Sequence, residues 1–185
     1  MNGLFYPLTW RFGRSIIISA GKENDMYYFA YGTNINLKNF GDWCESRKIR
    51  HIRILSKQPA ILRDFKLFFD YYSPEYKCGT ANVHPVPGES LHGVLFNIPE
   101  EDFWVVKKRN GVPGMCEEYD DPVTVYLYDK STVQRVKIFH VPEERCRPDL
   151  KPTAEYLQIM IQGARAENFH SSYISKLESI ATLEL

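Results

Sequence analysis

Apolar positions along the chain fall first into short extended runs and later into helical spacing. Residues 26–31 form a nearly unbroken aromatic run, the composition of a buried strand. The run breaks at Gly32-Thr33-Asn34, where Gly can take φ > 0 and Asn tolerates the left-handed region, so a tight turn is expected. Leu37, Phe40, Trp43 and Ile49, set among polar residues, suit a short helix behind that turn. Residues 52–55, 60–62 and 66–70 read as separate extended pieces, and 71–77 as a loop marked by Ser73-Pro74. Residues 80–84 read as a strand and 85–89 as a turn. Residues 91–98 are apolar on both faces, which predicts a central strand.

Pro99-Glu100-Glu101 opens a helix: Pro fits the first turn, and the acids complement the helix dipole. Phe103 and Val106 then share its face. Two further strands are expected at 123–128 and 133–141, joined through Asp129-Lys130-Ser131. An irregular charged connector follows to Pro152. Thr153 is placed to cap the next helix, with Tyr156, Ile159, Met160 and Gly163 on its inner face. Ser171 or Ser172 caps the last helix, which carries Tyr173, Leu177, Ile180 and Glu184 at helical spacing. Strands first and helices mostly at the end predict an α+β fold, with helices packed on a largely β core.

Composition narrows the function. A chain of 185 residues makes one domain, long enough to bury roughly 70% of its unfolded surface. Lys+Arg 23 balance Asp+Glu 23, so there is no electrostatic footprint for nucleic acid or an anionic membrane. The apolar runs are too short to span a bilayer. Cys44, Cys78, Cys116 and Cys146 form no Cys-x-x-Cys pair, which fits free thiols and a cytoplasmic setting. The five histidines show no ligand spacing, so no metal is expected. Residues 1–25, with Pro7 interrupting an apolar stretch and Arg11 and Arg14 beyond it, stand apart as a weakly attached extension of a domain spanning 26–185.

The chemistry starts at the Gly32 turn. A strand ending in such a turn gathers backbone N–H groups that can hold a carboxylate or an oxyanion. Tyr28-Phe29-Ala30-Tyr31-Gly32-Thr33-Asn34 resembles the opening signature of the gamma-glutamylcyclotransferase-like family, with Thr33 where Ser is usual. The resemblance continues through residues 81–112, including Pro87-Gly88-Glu89, Leu91-His92-Gly93-Val94-Leu95-Phe96 and Gly111-Val112. It extends to the tail, with Gly163-Ala164 and Tyr173. It implies a small mixed β-barrel with the signature loop at its mouth and two helices at the C-terminus. It also implies cofactor-independent release of a γ-glutamyl group as 5-oxoproline from a small-molecule substrate. Backbone groups of Tyr31, Gly32, Thr33, Asn34 and Ile35 would bind that substrate.

The resemblance also marks a departure. The family's general base is a Glu immediately before the Gly-Val that corresponds to Gly111-Val112, and here that position is Asn110. An amide has no titratable proton near neutrality, and losing a general base typically costs about 10²–10⁴-fold in rate. Glu118, or its neighbour Glu117, could stand in if it faces the pocket, and Tyr119 takes the place of a site-lining tyrosine. Taken from the residues alone, Glu117 and Glu118 read as solvated and Cys116 as a small buried thiol. His84 and His92 read as structural. Lys107-Lys108-Arg109 reads as a solvated helix face, with an anion-facing patch as the alternative. A binding protein that has lost turnover is the competing reading of the whole. The sequence leaves oligomeric state open.

Overall fold

The computed structural model describes residues 25–121 and 123–183. The stretch 1–24, on which the expected extension falls, lies outside them, as does Glu184. The aromatic run forms β1 (Asp25–Ala30) and the segment after its turn forms α1 (Leu37–Ser46). Two long strands follow, β2 (Ser56–Ser73) and β3 (Cys78–Pro99), then α2 (Phe103–Arg109). After them come β4 (Glu117–Glu118), β5 (Val123–Leu127), β6 (Thr132–Val136) and β7 (Phe139–His140). The helices α3 (Ala154–Ala166) and α4 (Ser171–Glu178) complete an α+β architecture.

The main sheet runs β1-β3-β2-β5-β6, with neighbouring strands antiparallel. β3 sits between β1 and β2, which is why residues 91–98 are apolar on both faces and all buried. The sheet then rolls on itself. Phe29 N donates to Lys137 O at 2.9 Å and Lys137 N to Tyr27 O at 2.8 Å. This parallel bridge ties β1 to the chain leaving β6. The expected barrel is therefore a curled sheet whose edges meet at one bridge rather than along a full ladder.

Strand length is where the sequence reading falls short. Residues 60–62 and 66–70 belong to one strand that runs on to Ser73, while 52–55 stay irregular. Residues 85–89 do not reverse the chain. Pro85 still pairs with Phe65, and residues 86–89 bulge out of β3 opposite Asp64, whose Oδ1 accepts from Gly88 N at 2.8 Å, before pairing resumes at Ser90. Pro85 and Pro87 lack the N–H a ladder needs, and the bulge accommodates them.

Of the two helix caps expected, the one at Thr153 forms. Asn36 Oδ1 accepts from Asn39 N at the start of α1, and Thr153 Oγ1 from Tyr156 N at the start of α3. The last helix differs: His170 precedes it without a side-chain cap, and Ser171 is already helical. On α3, Leu157, Ile161 and Ala164 share the buried face, while Ile159 is half-buried. Gly163 of α3 lies directly on the loop after β1, where a Cβ would come 2.7 Å from Ile35 Cγ1 and 2.9 Å from Asn36 N. Gly163→Ala therefore destabilises by about 1–2 kcal/mol in chemical denaturation, although helix propensity alone favours Ala by up to about 1 kcal/mol. An Ala variant as stable as wild type would mean that α3 does not press on this loop.

A second prediction concerns pH. His92 is buried, its ring 4.4 Å from that of Tyr173, and its Nδ1 is 2.6 Å from Tyr128 Oη. Burial, reinforced by His170 and Lys176, pushes its pKa down to about 4. The unfolded chain takes up this proton near the ordinary value of about 6.5, so stability falls as pH drops from about 6.5 towards 4. The expected result is a shallower fall for His92→Gln than for wild type when unfolding free energy is measured across that window.

Candidate functional site

The loop after β1 and the C-terminal end of α2 meet across a hollow of about 100 Å³. The loop is a single 3-10 turn over Thr33–Ile35, closed by Ile35 N to Gly32 O at 3.2 Å and Asn36 N to Thr33 O at 3.1 Å. The first N–H groups of such a turn have no acceptor within it, which leaves those of Thr33 and Asn34 unbonded by the turn itself. Gly32 does not take the expected positive φ; its φ is −97°. What the position requires is space, because a Cβ there would lie 3.2 Å from Ala81 Cβ. On the other side, α2 ends in a Schellman arrangement: Gly111, at φ +71°, donates to Lys108 O, and Val112 N to Lys107 O. That turn fixes Asn110 at the C-cap of α2, its Nδ2 bonded to Val106 O at 2.8 Å.

The two sides are joined by side-chain hydrogen bonds. Asn34 Nδ2 donates to Asn110 Oδ1 at 3.3 Å and to the Tyr28 hydroxyl at 3.0 Å, and Asn110 Nδ2 donates to the same hydroxyl at 3.3 Å. Arg109 completes the set. Its Nε donates to Asn34 Oδ1 at 3.2 Å, and its Nη2 to Asn39 Oδ1 and the Tyr76 hydroxyl, each at 2.9 Å. The guanidinium also lies 5.2 Å from the centre of the Trp43 ring. All these acceptors are neutral, and no carboxylate of the described residues lies within ion-pair distance of Arg109. A cation at a concave wall with no counter-ion suits an anionic ligand group.

Apart from Glu75, the rest of the lining is uncharged and rich in hydroxyls. Tyr31 donates inward to Phe139 O at 2.6 Å, and Tyr156 Oη accepts from Ala81 N at 3.0 Å. Burial raises the pKa of Tyr28, Tyr31 and Tyr156, so all three keep their protons. Burial likewise pushes the Cys116 thiol up to about 12, which makes it a poor nucleophile. The carboxylate on the wall is that of Glu75, half-exposed, 3.2 Å from an Arg47 nitrogen.

The structure thus brings Asn110 together with Tyr31, Gly32, Thr33 and Asn34 around one hollow. It places Ile35 beneath the loop, buried against α3. Glu118 lies apart from the hollow, paired with Lys137 and, at 3.6 Å, Lys107. Glu117 pairs with Arg145. Tyr119 faces a different groove, its ring edge-on to Phe65 and to His140. Glu117 and Glu118 follow Cys116, which lines the hollow, and β4 there pairs with β7, Glu117 opposite His140 and Glu118 opposite Phe139. Sequence reasoning put Arg109 on a solvated helix face, with an anion-facing patch as the alternative, and left Glu75, Tyr76 and Tyr156 of the lining out of the site. Only Arg109 carried a signal, as the last base before the helix-ending Asn110-Gly111.

Comparison with solved structures identifies the fold. A gamma-glutamyl cyclotransferase superposes with a TM-score of 0.72 at 22% identity, covering 87% of this chain and 90% of its own. The chain has the gamma-glutamyl cyclotransferase fold. In sequence, residues 90–177 match the AIG2-like family. Gamma-glutamylcyclotransferases of Mus musculus and Bos taurus are similar over most of their length. The first is 25% identical over 87% of this chain and 82% of its own, the second 24% identical over 83% and 77%.

The Tyr28 hydroxyl is the acceptor shared by both asparagines, so its removal tests the network. Tyr28→Phe is expected to destabilise by about 1–3 kcal/mol in chemical denaturation, because the buried Asn34 amide and the half-buried Asn110 amide each lose an acceptor. A neutral substitution would show that the two asparagines are satisfied without it.

Proposed function

We propose that the protein is a member of the gamma-glutamylcyclotransferase-like family that cleaves γ-glutamyl amides or amino acids and releases 5-oxoproline. The observation carrying this reading is Arg109, a guanidinium with neutral acceptors only, at the wall of a hollow shared with the N–H groups of the Gly32 loop. Arg109 holds the α-carboxylate of the glutamyl group, and the Thr33 and Asn34 N–H groups face the γ-carbonyl oxygen. The hollow folds the glutamyl chain so that its α-nitrogen meets the γ-carbonyl carbon. A C–N bond forms there, the amide C–N bond breaks, and the proton lost by the α-nitrogen leaves with the departing amine. No cofactor is needed for these steps.

Asn110 stands where the resemblance places a Glu and cannot carry that proton. Its Oδ1 and Nδ2 are both engaged, with Asn34 and with Tyr28 and Val106, which suits a positioning role. Glu75, the carboxylate on the wall, takes the proton carrier's part. In place of Glu118 and Tyr119, the working set is therefore Arg109, Asn110 and Glu75.

The test is incubation with a panel of γ-glutamyl-amino acids and γ-glutamyl-amines, with 5-oxoproline measured by mass spectrometry. Product above background is expected, with a rate lowered by about 10²-fold or more in Glu75→Gln and KM raised in Arg109→Met. No 5-oxoproline from any of them would overturn the reading. The second reading, a pocket that binds such carboxylates without turnover, is favoured by the amide at position 110. It predicts that Asn110→Glu raises a negligible activity by orders of magnitude.

A further inference from the structure

β3 presents a second polar cluster on the face opposite the hollow. Ala81 lines the hollow, and its neighbour Asn82 points the other way, as alternation along a strand requires. Asn82 and His84 share that other face, and Phe68 of β2 pairs with Asn82. The register between β2 and β3 then slips between Phe68 and Tyr71. Asp70 lies in this irregularity, and its carboxylate reaches the same face as His84. The third member, Cys146, comes from the connector before α3, which is pinned to the strand by Arg147 N donating to Asp70 O at 2.6 Å.

The geometry is convergent. Asp70 Oδ2 lies 2.5 Å and Cys146 Sγ 4.0 Å from the same nitrogen, His84 Nε2. The three donor atoms all fall within 4.8 Å of one another. A nucleophilic triad would place the carboxylate and the thiol on different ring nitrogens, and both meet Nε2 here. Burial, with Asp70 next in effect, also pushes the Cys146 thiol up to about 11, opposite to what a nucleophile needs. Convergence on one point is what a shared cation requires. Tetrahedral ligand pairs around zinc lie about 3.3–3.6 Å apart, given its bond lengths, so small side-chain shifts close the set. Asn82 supports it from behind: its Nδ2 donates to Asp70 Oδ1 at 2.9 Å and to Cys146 Sγ at 3.4 Å, and its Oδ1 accepts from Val141 N at 2.8 Å.

We propose that Asp70, His84 and Cys146 form a site for a divalent zinc-like ion. The ion replaces the proton between His84 Nε2 and Asp70 Oδ2 and displaces the Cys146 thiol proton, so both protons are released to solvent. Thiolate and imidazole donors select zinc, cobalt or a related metal over calcium and magnesium. The cluster borders an open hollow of about 600 Å³, also lined by Glu143, which leaves the fourth position to water or to that carboxylate. The sequence showed no ligand spacing because the three donors come from three separate segments. The proposal is independent of the reaction assigned to the other hollow.

The test is titration of the metal-free full chain, kept reduced, with Co²⁺ followed by absorption, together with thermal unfolding in Zn²⁺ and in EDTA. Expected are a one-to-one endpoint with a thiolate-to-cobalt charge-transfer band, and a higher Tm in Zn²⁺. Both effects are expected to be lost in Cys146→Ser, and Co²⁺ affinity to fall at least tenfold in Asp70→Asn. Absence of the charge-transfer band in wild type overturns the proposal, as does a Zn²⁺-induced Tm shift of equal size in Cys146→Ser. The wild-type spectrum decides even if a variant fails to fold.

Discussion

Arg109 donates to two side-chain amides and a phenol, and to no carboxylate of the described residues. That arrangement depends on the end of α2. The positive φ of Gly111 closes the helix, and closure sets Arg109 and Asn110 side by side at the edge of the hollow. Neutral hydrogen bonds hold the guanidinium in place without cancelling its charge, so its field stays available to a ligand. The tyrosines around it reinforce the effect, since burial keeps their hydroxyls protonated and they add dipoles rather than charges.

The cradle and the helix end are mutually dependent. Asn34 accepts from Arg109 and donates to both Asn110 and Tyr28, so one side chain spans the loop, the helix and β1. The loop cannot drift away from this network because α3 presses on it from the far side at Gly163. A hollow built this way is pre-shaped, with the cost of ordering its donors met during folding. The amide at position 110 fits such a positioning network well, which gives a physical reason why it can stand where the resemblance places a carboxylate.

β3 links the two polar regions of the molecule. Its central position buries residues 91–98 on both faces, while its N-terminal half carries Ala81 against one hollow and Asn82 against the Asp70–His84–Cys146 cluster. Cys146 and Val141 both contact Asn82, and Val141 also lines the first hollow. The two regions therefore share a wall of one strand and one connector.

Local chemistry was enough to set most of the element types, residues 52–55 and 85–89 apart, because aromatic runs and capping residues act over a few positions. The strand formed by the aromatic run at Asp25–Ala30, the cap at Thr153 and the central place of residues 91–98 were all legible in that way. The signature at Tyr28–Asn34 also pointed to the loop that lines the hollow. Tertiary structure alone decided that 60–62 and 66–70 join in one long strand, since pairing with β3 outweighs the local breaks. It also decided which charges face the hollow. Glu118 is held by Lys137 and Lys107, and Arg109 by Asn34, Asn39 and Tyr76, because a charged side chain's surroundings are set by elements distant in the chain.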